Sequence, residues 1–159
     1  MRNNKQTIYE FVDDFMTQHK NAGGIGVNWL VFGSNGHETK PEGGVLKNFT
    51  RCAEKDFGSN HLIKTICDPM KVLNSTTHYV IYYRGFYTLN ENGEIIDGPT
   101  SKTVNFDKIR INHYFTKSKQ EFIQKRARGM ADNNGIRPIE NFYAHDKNEV
   151  LDTEILSHK

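Results

Sequence analysis

Cysteine is scarce in this sequence, and its scarcity excludes two common ways of stabilising a small protein. Only Cys52 and Cys67 occur among 159 residues, which is too few for a disulfide framework and lacks the spacing of a zinc site. We expect two reduced thiols, as is usual in cytosolic chains. Stability must therefore come from a hydrophobic core, and a chain of this length should bury roughly 70% of the surface that its unfolded form exposes.

Long apolar runs and a strong net charge are also lacking. The first residues, MRNNKQTIYEF, contain no apolar core of a signal peptide, and no segment of the sequence is long and apolar enough to cross a membrane. The formal net charge is only +2, so the field of the whole molecule does not favour nucleic acid. With 36% hydrophobic residues, the composition is that of a folded protein. We therefore predict a soluble, cytoplasmic protein with no membrane span and no nucleic-acid partner.

What is present is an alternation of helical and strand patterns. Apolar residues at helical spacing predict a first helix that is capped by Thr7 and ends before Gly23. Buried or alternating runs predict strands at IGVNWLVFG, HLIKTIC, HYVIYYRGFYTLNENGEIIDGP (a hairpin with its turn at Asn92-Gly93) and KIRINHY. Since no repeat or linker divides the chain, these elements predict a single α/β domain over residues 1–159, with a mixed sheet and flanking helices.

The stretch INHYFTKSKQEFIQKRARG, residues 111–129, carries the clearest chemistry. It predicts a strand that ends at His113, followed by a helix over SKQEFIQKRARGMAD, residues 118–132, with a capping box between Ser118 and Glu121. The first turn of a helix attracts anions, and Lys117 and Ser118 would add a cation and a hydroxyl donor there, which suits a diphosphate. The alternative is that Ser118 only caps the helix and that the cations form a solvated face.

Four further patterns contain histidine, tryptophan or acidic residues that could form a site. His113 could ligate a divalent metal, or it could be a histidine with core hydrogen bonds. In VNWLVFGSNGH, Trp29 could stack on a sugar ring while Asn28 and His37 bind hydroxyls, although core packing is the common role of tryptophan. We interpret Asp13 and Asp14 as a solvent-facing pair rather than a metal site, and HDKN, residues 145–148, as a segment that docks the tail.

Four of these segments together resemble one family. VNWLVFGSNGH, KTICDP, INHYFTKSKQEFIQKRARG and HDKN are similar to the glycosyltransferase family 2/family 92-like group of enzymes with the GT-A fold. The resemblance covers the chain from about residue 8 to its end. It implies a Rossmann-like α/β fold and transfer of a sugar from a nucleotide-sugar donor to a hydroxyl of a saccharide or glycan acceptor, with the help of Mn²⁺ or Mg²⁺.

The resemblance also implies roles for individual residues. His113 matches the position of a metal contact, and Lys117 and Ser118 match the pair that meets the donor phosphates. Asn28, Trp29 and Gly33 match the stretch that lines the sugar or acceptor. His37 is the candidate for the catalytic base that takes the acceptor proton.

Two departures from the family pattern limit these expectations. The acidic Asp-x-Asp type of motif that binds the metal and nucleotide is absent, so the resemblance implies the C-terminal part of a longer enzyme, which would be inactive alone. Lys47 stands where related sequences often carry glutamate, so a base at that position is lost. We expect such a part either to associate with itself through exposed strand edges or to need the missing half.

Two other functions remain open from the sequence. The missing acidic motif is also compatible with a non-catalytic carbohydrate-binding or scaffold module, which would need neither nucleotide nor metal. A phosphate-binding nucleic-acid module built on residues 117–128 is a weaker interpretation, because the basic residues lack interleaved aromatic residues on the same face.

Overall fold

A computed structural model describes residues 6–130 and 135–157 of the chain. Helices and strands alternate within them, as the sequence predicts. The helices are α1 (Ile8–Gln18), α2 (Val45–Asn48), α3 (Lys119–Ala127) and α4 (Glu140–His145), with short 3₁₀ turns at Gly58–His61, Pro69–Lys71 and Glu154–Ser157. The strands are β1 (Ala22–Val31), β2 (Arg51–Cys52), β3 (Ile63–Cys67), β4 (Val72–Ser75), β5 (Val80–Tyr82), β6 (Tyr87–Leu89), β7 (Ile95–Ile96), β8 (Ile111–His113) and β9 (Val150–Leu151).

The main sheet is mixed, which confirms the predicted α/β class with flanking helices. Its strands follow the order β3-β1-β6-β7, and β8 also pairs with β1. The β1–β6 pair is parallel, whereas β1–β3 and β6–β7 are antiparallel. Two further antiparallel pairs, β2–β9 and β4–β5, form small sheets of their own. The hairpin predicted at Asn92-Gly93 is confirmed as the connection between β6 and β7, where Gly93 has a φ of +85°.

The chain forms two compact units. The first contains the residues up to Trp29 together with Asp56–Ile111, and the second contains Leu30–Lys55 and the residues from Asn112 onward. The boundary between Trp29 and Leu30 falls inside β1. Because one strand belongs to both units, this division does not decide whether they fold separately, and the single domain over residues 1–159 stays a prediction.

The core of the first unit lies between α1 and the sheet. Phe15 of α1 is buried against residues of β1 and β6, with Ala22, Ile25, Val27 and Leu89 in the same cluster. Thr7 caps α1 through a reciprocal capping box with Glu10, as predicted, but the helix ends at Gln18 rather than near Gly23. Asp13 and Asp14 are exposed, which confirms that they point into solvent.

The second unit is held together by aromatic side chains. Phe122 of α3 is fully buried, and its ring lies 5.4 Å from that of Phe142 on α4 and 5.8 Å from that of Phe115. α3 begins at a capping box of Ser118 and Glu121, as predicted, and ends at Ala127, two residues before Gly129 with its φ of +77°. The helix is therefore shorter than the predicted SKQEFIQKRARGMAD, whose last two residues, 131 and 132, lie outside the described part.

Candidate functional site

The last residue of β8 and residues that follow it in the chain form an aromatic and basic cluster in the second unit. The ring of Phe115 lies at its centre, 5.8 Å from the ring of His113 and 4.6 Å from that of His145, between ring centroids. Nζ of Lys125 lies 4.4 Å and the guanidinium carbon of Arg137 lies 5.3 Å from the same centroid. We call these five residues the Phe115 cluster.

Helix α3 places Lys125 in this cluster. Phe122 anchors the helix in the core, and Lys125 lies on the same helix face three residues later, as side chains at this spacing do. The stem of Lys125 can therefore pack on Phe115 while its ammonium group donates a hydrogen bond of 3.2 Å to the carbonyl oxygen of Phe115. Arg137 is held beside it because Nε of Arg126 donates to the carbonyl oxygen of Arg137 at 2.8 Å.

Lys125 and Arg137 bring two positive charges close together in the cluster. Burial lowers the pKa of the half-buried Lys125, and the positive charges of Arg137, Lys117 and Arg128 lower it further. Among residues 6–130 and 135–157, no carboxylate forms an ion pair with Lys125 or Arg137. Cations that repel one another in a partly desolvated place attract an anion more strongly than dispersed surface cations do.

At the amino end of α3, other groups of the chain accept hydrogen bonds from the backbone N–H groups that an anion would need. The backbone N–H groups of Lys119 and Gln120 donate to the carbonyl oxygens of His37 and Glu38, at 3.1 Å and 2.9 Å. That of Glu121 donates to Oγ of Ser118 at 3.3 Å. The predicted diphosphate site at this helix end is therefore not supported by the geometry, since the donors that would bind the anion already have acceptors.

Ser118 itself is fully buried within this cap. Its hydroxyl donates to Oε2 of Glu121 at 2.8 Å while accepting the backbone N–H of the same residue. The alternative interpretation, that Ser118 caps the helix, is confirmed. Its predicted contact with donor phosphates stays a prediction and receives no support from these contacts.

We expect the substitution Ser118→Ala to lower stability without changing anion affinity. Loss of the capping hydroxyl should reduce the free energy of unfolding by about 1 kcal/mol. Chemical denaturation measures the first effect, and titration with uridine diphosphate (UDP) measures the second. A large loss of UDP affinity at unchanged stability would instead support the predicted contact of Ser118 with the donor phosphates.

Lys117 is predicted from the sequence to contact an anion. In the structure it lies near Lys125 of the Phe115 cluster. It adopts a left-handed backbone conformation with a φ of +51°, and its Nζ lies 3.7 Å from Oε1 of Glu121. The side chain is 41% exposed, so this ion pair is weak. Lys117 also contributes to the lowered pKa of Lys125, which makes it an outer member of the same positive region.

Gly33 and the loop that follows it bind the HDKN segment. A Cβ atom at Gly33 would lie 2.5 Å from Oδ1 of Asn148 and closer still to the carbonyl oxygen of Lys147. The backbone N–H groups of Ser34 and Asn35 donate to Oδ1 of Asp146 and of Asn148, at 2.6 Å and 2.8 Å. These contacts confirm that HDKN docks the tail, and they give Gly33 a packing role, while its predicted contact with the sugar stays untested.

His37 lies in the same loop and packs against the core of the second unit. Its ring meets the ring of Phe49 edge-on, with centroids 5.6 Å apart. Its carbonyl oxygen accepts the first N–H of α3, and its own N–H donates to the carbonyl oxygen of Ser34. The backbone of His37 is thus part of the cap of α3, and its role as a catalytic base stays a prediction.

Asn28 and Trp29, the other predicted sugar contacts, belong to the first unit. The side chain of Asn28 is buried, donates to Oγ of Ser101 at 2.7 Å and to the carbonyl oxygen of Asn60 at 3.0 Å, and accepts the N–H of Asn105 at 3.3 Å. These bonds link β1 to two loops, so they give Asn28 a structural role. It is not available to a sugar hydroxyl in this arrangement.

The ring of Trp29 packs against two polar side chains of the first unit. Its ring lies 5.2 Å from that of His78, and Nζ of Lys64 lies 5.7 Å from its centroid. Nδ1 of His78 is 3.2 Å from the carbonyl oxygen of Ile63. Stacking of a sugar on Trp29 would compete with these two neighbours, and this predicted role also stays a prediction.

The predicted metal contact at His113 does not belong to a three-ligand group in the part of the chain that the structure describes. There, no group of three or more histidine, cysteine, aspartate or glutamate side chains comes together. His113 is half-buried at the end of β8, and its carbonyl oxygen accepts the N–H of Phe32 at 3.0 Å. The described residues therefore do not fit a complete metal site, and we derive no chemical step through a metal.

Of the five residues of the Phe115 cluster, the sequence predicts a site role only for His113. It presents Lys125 as one of several cations on a helix and His145 as part of the docking segment HDKN, and it gives Phe115 and Arg137 no role. Positive charge concentrated in residues 117–128 was the available signal. It could not identify Arg137, which reaches the cluster from a segment beyond the helix.

Comparisons of the chain with models of known protein families, with curated proteins and with solved structures found no match. The sequence resemblance and the geometry of the Phe115 cluster are therefore the two grounds for a function.

Proposed function

We propose that this chain is a glycosyltransferase domain whose Phe115 cluster binds the diphosphate of a nucleotide-sugar donor. The observation that carries the proposal is the pair Lys125 and Arg137, which lie on one aromatic ring with no carboxylate partner among the described residues. Arginine and lysine on a shared platform suit a diphosphate, because a guanidinium group can bind two oxygens while an ammonium group supplies a point charge.

The two cations would act when the bond to the sugar breaks. As the donor loses its sugar, negative charge grows on the departing nucleoside diphosphate, and fixed cations stabilise that charge without reorganising. Lys125 is already oriented, because its ammonium group is anchored to the carbonyl oxygen of Phe115. Preorganisation of this kind lowers the barrier more than a mobile surface lysine would.

Two finer expectations belong to the same proposal. The mixed sheet with flanking helices is compatible with a GT-A fold, which the sequence resemblance implies. His113 lies beside Phe115, where it could supply one of the ligands of Mn²⁺ or Mg²⁺, while a complete metal site would need ligands from elsewhere. A divalent metal would supply charge neutralisation of the diphosphate.

Calorimetric titration with UDP, guanosine diphosphate, pyrophosphate and the corresponding nucleoside tests the proposal. We expect at least one diphosphate to bind and the nucleoside alone to bind much more weakly, because the cluster recognises phosphate charge. Binding of neutral saccharides with no binding of any diphosphate would favour the carbohydrate-binding module instead. Binding of oligonucleotides with a steep dependence on salt would favour the nucleic-acid module.

The lowered pKa of Lys125 predicts how pH affects the binding. In the free protein, Lys125 should lose its proton below the value of about 10.4 that an ordinary lysine shows. Since a bound anion favours the charged form, UDP should raise the pKa of Lys125, and UDP affinity should fall as pH rises through the lowered pKa. Between the folded and unfolded pKa values the unfolded state binds more protons, so stability should rise with pH there.

Side-chain NMR of Lys125 measures this shift directly. We expect a titration midpoint below the value of about 10.4 that an ordinary lysine shows, and a rise of the midpoint when UDP is added. A midpoint at or above that ordinary value in the free protein would show that the ammonium group is already neutralised by another group.

A further inference from the structure

A cavity open to solvent lies in the first unit, and none of its described lining residues is one to which the sequence resemblance gives a role. Its volume is about 380 Å³, within the range of roughly 300–1,000 Å³ that small-molecule sites occupy. Residues of β5, β6 and β7 and of the segments beside them line it. Aromatic residues contribute much of its lining, including Tyr79, Tyr82, Phe86 and Tyr87. None of the described residues that line it is a lysine, an arginine or a histidine, which distinguishes it from the Phe115 cluster.

The floor of the cavity is fixed by a close contact between a tyrosine and the sheet. The ring of Tyr82 lies directly on the backbone of β1, where a Cβ at Gly23 would lie only 2.5 Å from Cδ1 of Tyr82. The hydroxyl of Tyr82 lies 3.4 Å from Oγ1 of Thr88. Glycines in β1 thus allow the hairpin to approach the sheet, and the cavity is a consequence of that approach.

Polar groups at the rim are available to a ligand. The hydroxyls of Tyr79 and Tyr87 and the carboxylate of Asp97 have no hydrogen-bond partner within the described ranges, residues 6–130 and 135–157. Tyr87 is 43% exposed, so its ring can present a face to solvent. The cavity therefore combines apolar ring faces with two phenol hydroxyls and one carboxylate.

We infer that this cavity binds a neutral saccharide, which, if the proposed transferase function holds, is the acceptor or part of it. The C–H faces of a sugar ring pack on aromatic rings, and its hydroxyls can both donate to a carboxylate and exchange hydrogen bonds with phenols. A phosphorylated ligand is disfavoured, because the described part of the lining offers a negative charge and no positive one. Asp97 accepts hydrogen bonds from two neighbouring hydroxyls, as carboxylates commonly can.

A titration followed by backbone amide NMR tests this inference. The probes are lactose, cellobiose, chitobiose and methyl α-mannoside, with choline chloride as a cationic probe. We expect at least one of the saccharides to shift the amides of Val80, Thr88 and Gly98 in a saturable way. Tyr87→Ala should weaken that binding roughly 3- to 10-fold, as loss of one aromatic contact does.

The matched control is Tyr83→Ala in the same segment. Tyr83 is 53% exposed and does not line the cavity, so its replacement should leave saccharide binding unchanged. Because both tyrosines are exposed, neither variant should unfold the protein.

Three results would overturn the inference. The first is the absence of saturable shifts at these amides with all four saccharides. The second is equal saccharide binding by Tyr87→Ala and the wild type. The third is a response to choline alone, which would identify a site for cations. UDP titrated into the same samples reports on the Phe115 cluster separately. Bound UDP without saccharide binding would refute only this inference, and saccharide binding without UDP binding would refute only the donor site.

Discussion

Replacing Lys125 by alanine should weaken UDP binding roughly 10- to 100-fold, the effect expected when a hydrogen bond between charged groups is lost. The substitution removes an ammonium group that is anchored to the carbonyl oxygen of Phe115 and lies 4.4 Å from its ring centroid. Calorimetry at fixed ionic strength measures the change, because salt screens this interaction. Lys125→Met should show the same loss while retaining the apolar stem on Phe115.

Lys47→Ala is the matched control for this charge. Lys47 is an exposed residue of α2 in the same unit, so its removal changes the net charge equally without touching the Phe115 cluster. We expect its UDP affinity to stay within about twofold of the wild type, since isolated surface charges contribute little. If the two alanine variants lose affinity equally, the attraction comes from net charge and not from the cluster.

Gly33→Ala should destabilise the protein by about 1–3 kcal/mol, the range for adding a group to a packed site. The new methyl group would overlap Oδ1 of Asn148 and the carbonyl oxygen of Lys147. The backbone of Lys147 cannot move freely, because Asp146 and Asn148 on either side accept hydrogen bonds from the loop after Gly33. Urea denaturation followed by circular dichroism measures the loss.

Gly58→Ala provides the comparison for that result. A Cβ atom at Gly58 would meet nothing within 4 Å, and its φ is not positive, so the substitution should be neutral or stabilise slightly. If Gly33→Ala is as stable as Gly58→Ala, HDKN does not pack against Gly33 in solution. A gain or loss of UDP affinity in a stable Gly33→Ala protein would support a contact of this loop with the ligand.

Local signals in the sequence were sufficient to predict several elements. The boxes of Thr7 with Glu10 and of Ser118 with Glu121 start α1 and α3 where expected, because both partners of each box lie within one helical turn. The buried strand β1 was predicted from its continuous apolar run.

No helix of the described residues is long and apolar enough to span a membrane.

Contacts between distant segments could not be predicted in the same way. The sequence predicts antiparallel strands over HYVIYYRGFYTLNENGEIIDGP, but it does not predict β4, the strand that pairs with β5 in the structure. The end of α3 shows the same limit. The sequence predicts an anion site at its amino end. It cannot reveal that the carbonyl oxygens of His37 and Glu38, which lie far earlier in the chain, accept the N–H groups of Lys119 and Gln120.

Asn28 illustrates how a polar residue in a motif can mislead. An asparagine beside a tryptophan suggested contacts to sugar hydroxyls, yet its side chain bonds Asn60, Ser101 and Asn105 within the first unit. Buried amides need such partners, and the partners come from loops that the sequence pattern does not connect. The Phe115 cluster is the opposite case, in which Lys125 gained importance only from the neighbours that the fold gives it.

The most direct test of the donor site is an NMR titration of the wild-type chain with UDP, with shifts assigned residue by residue. The account predicts saturable changes centred on Phe115, Lys125 and Arg137, with the Nζ signal of Lys125 among the most affected. Changes confined to the first unit, or the absence of any saturable change at millimolar UDP, would contradict a diphosphate site at the Phe115 cluster.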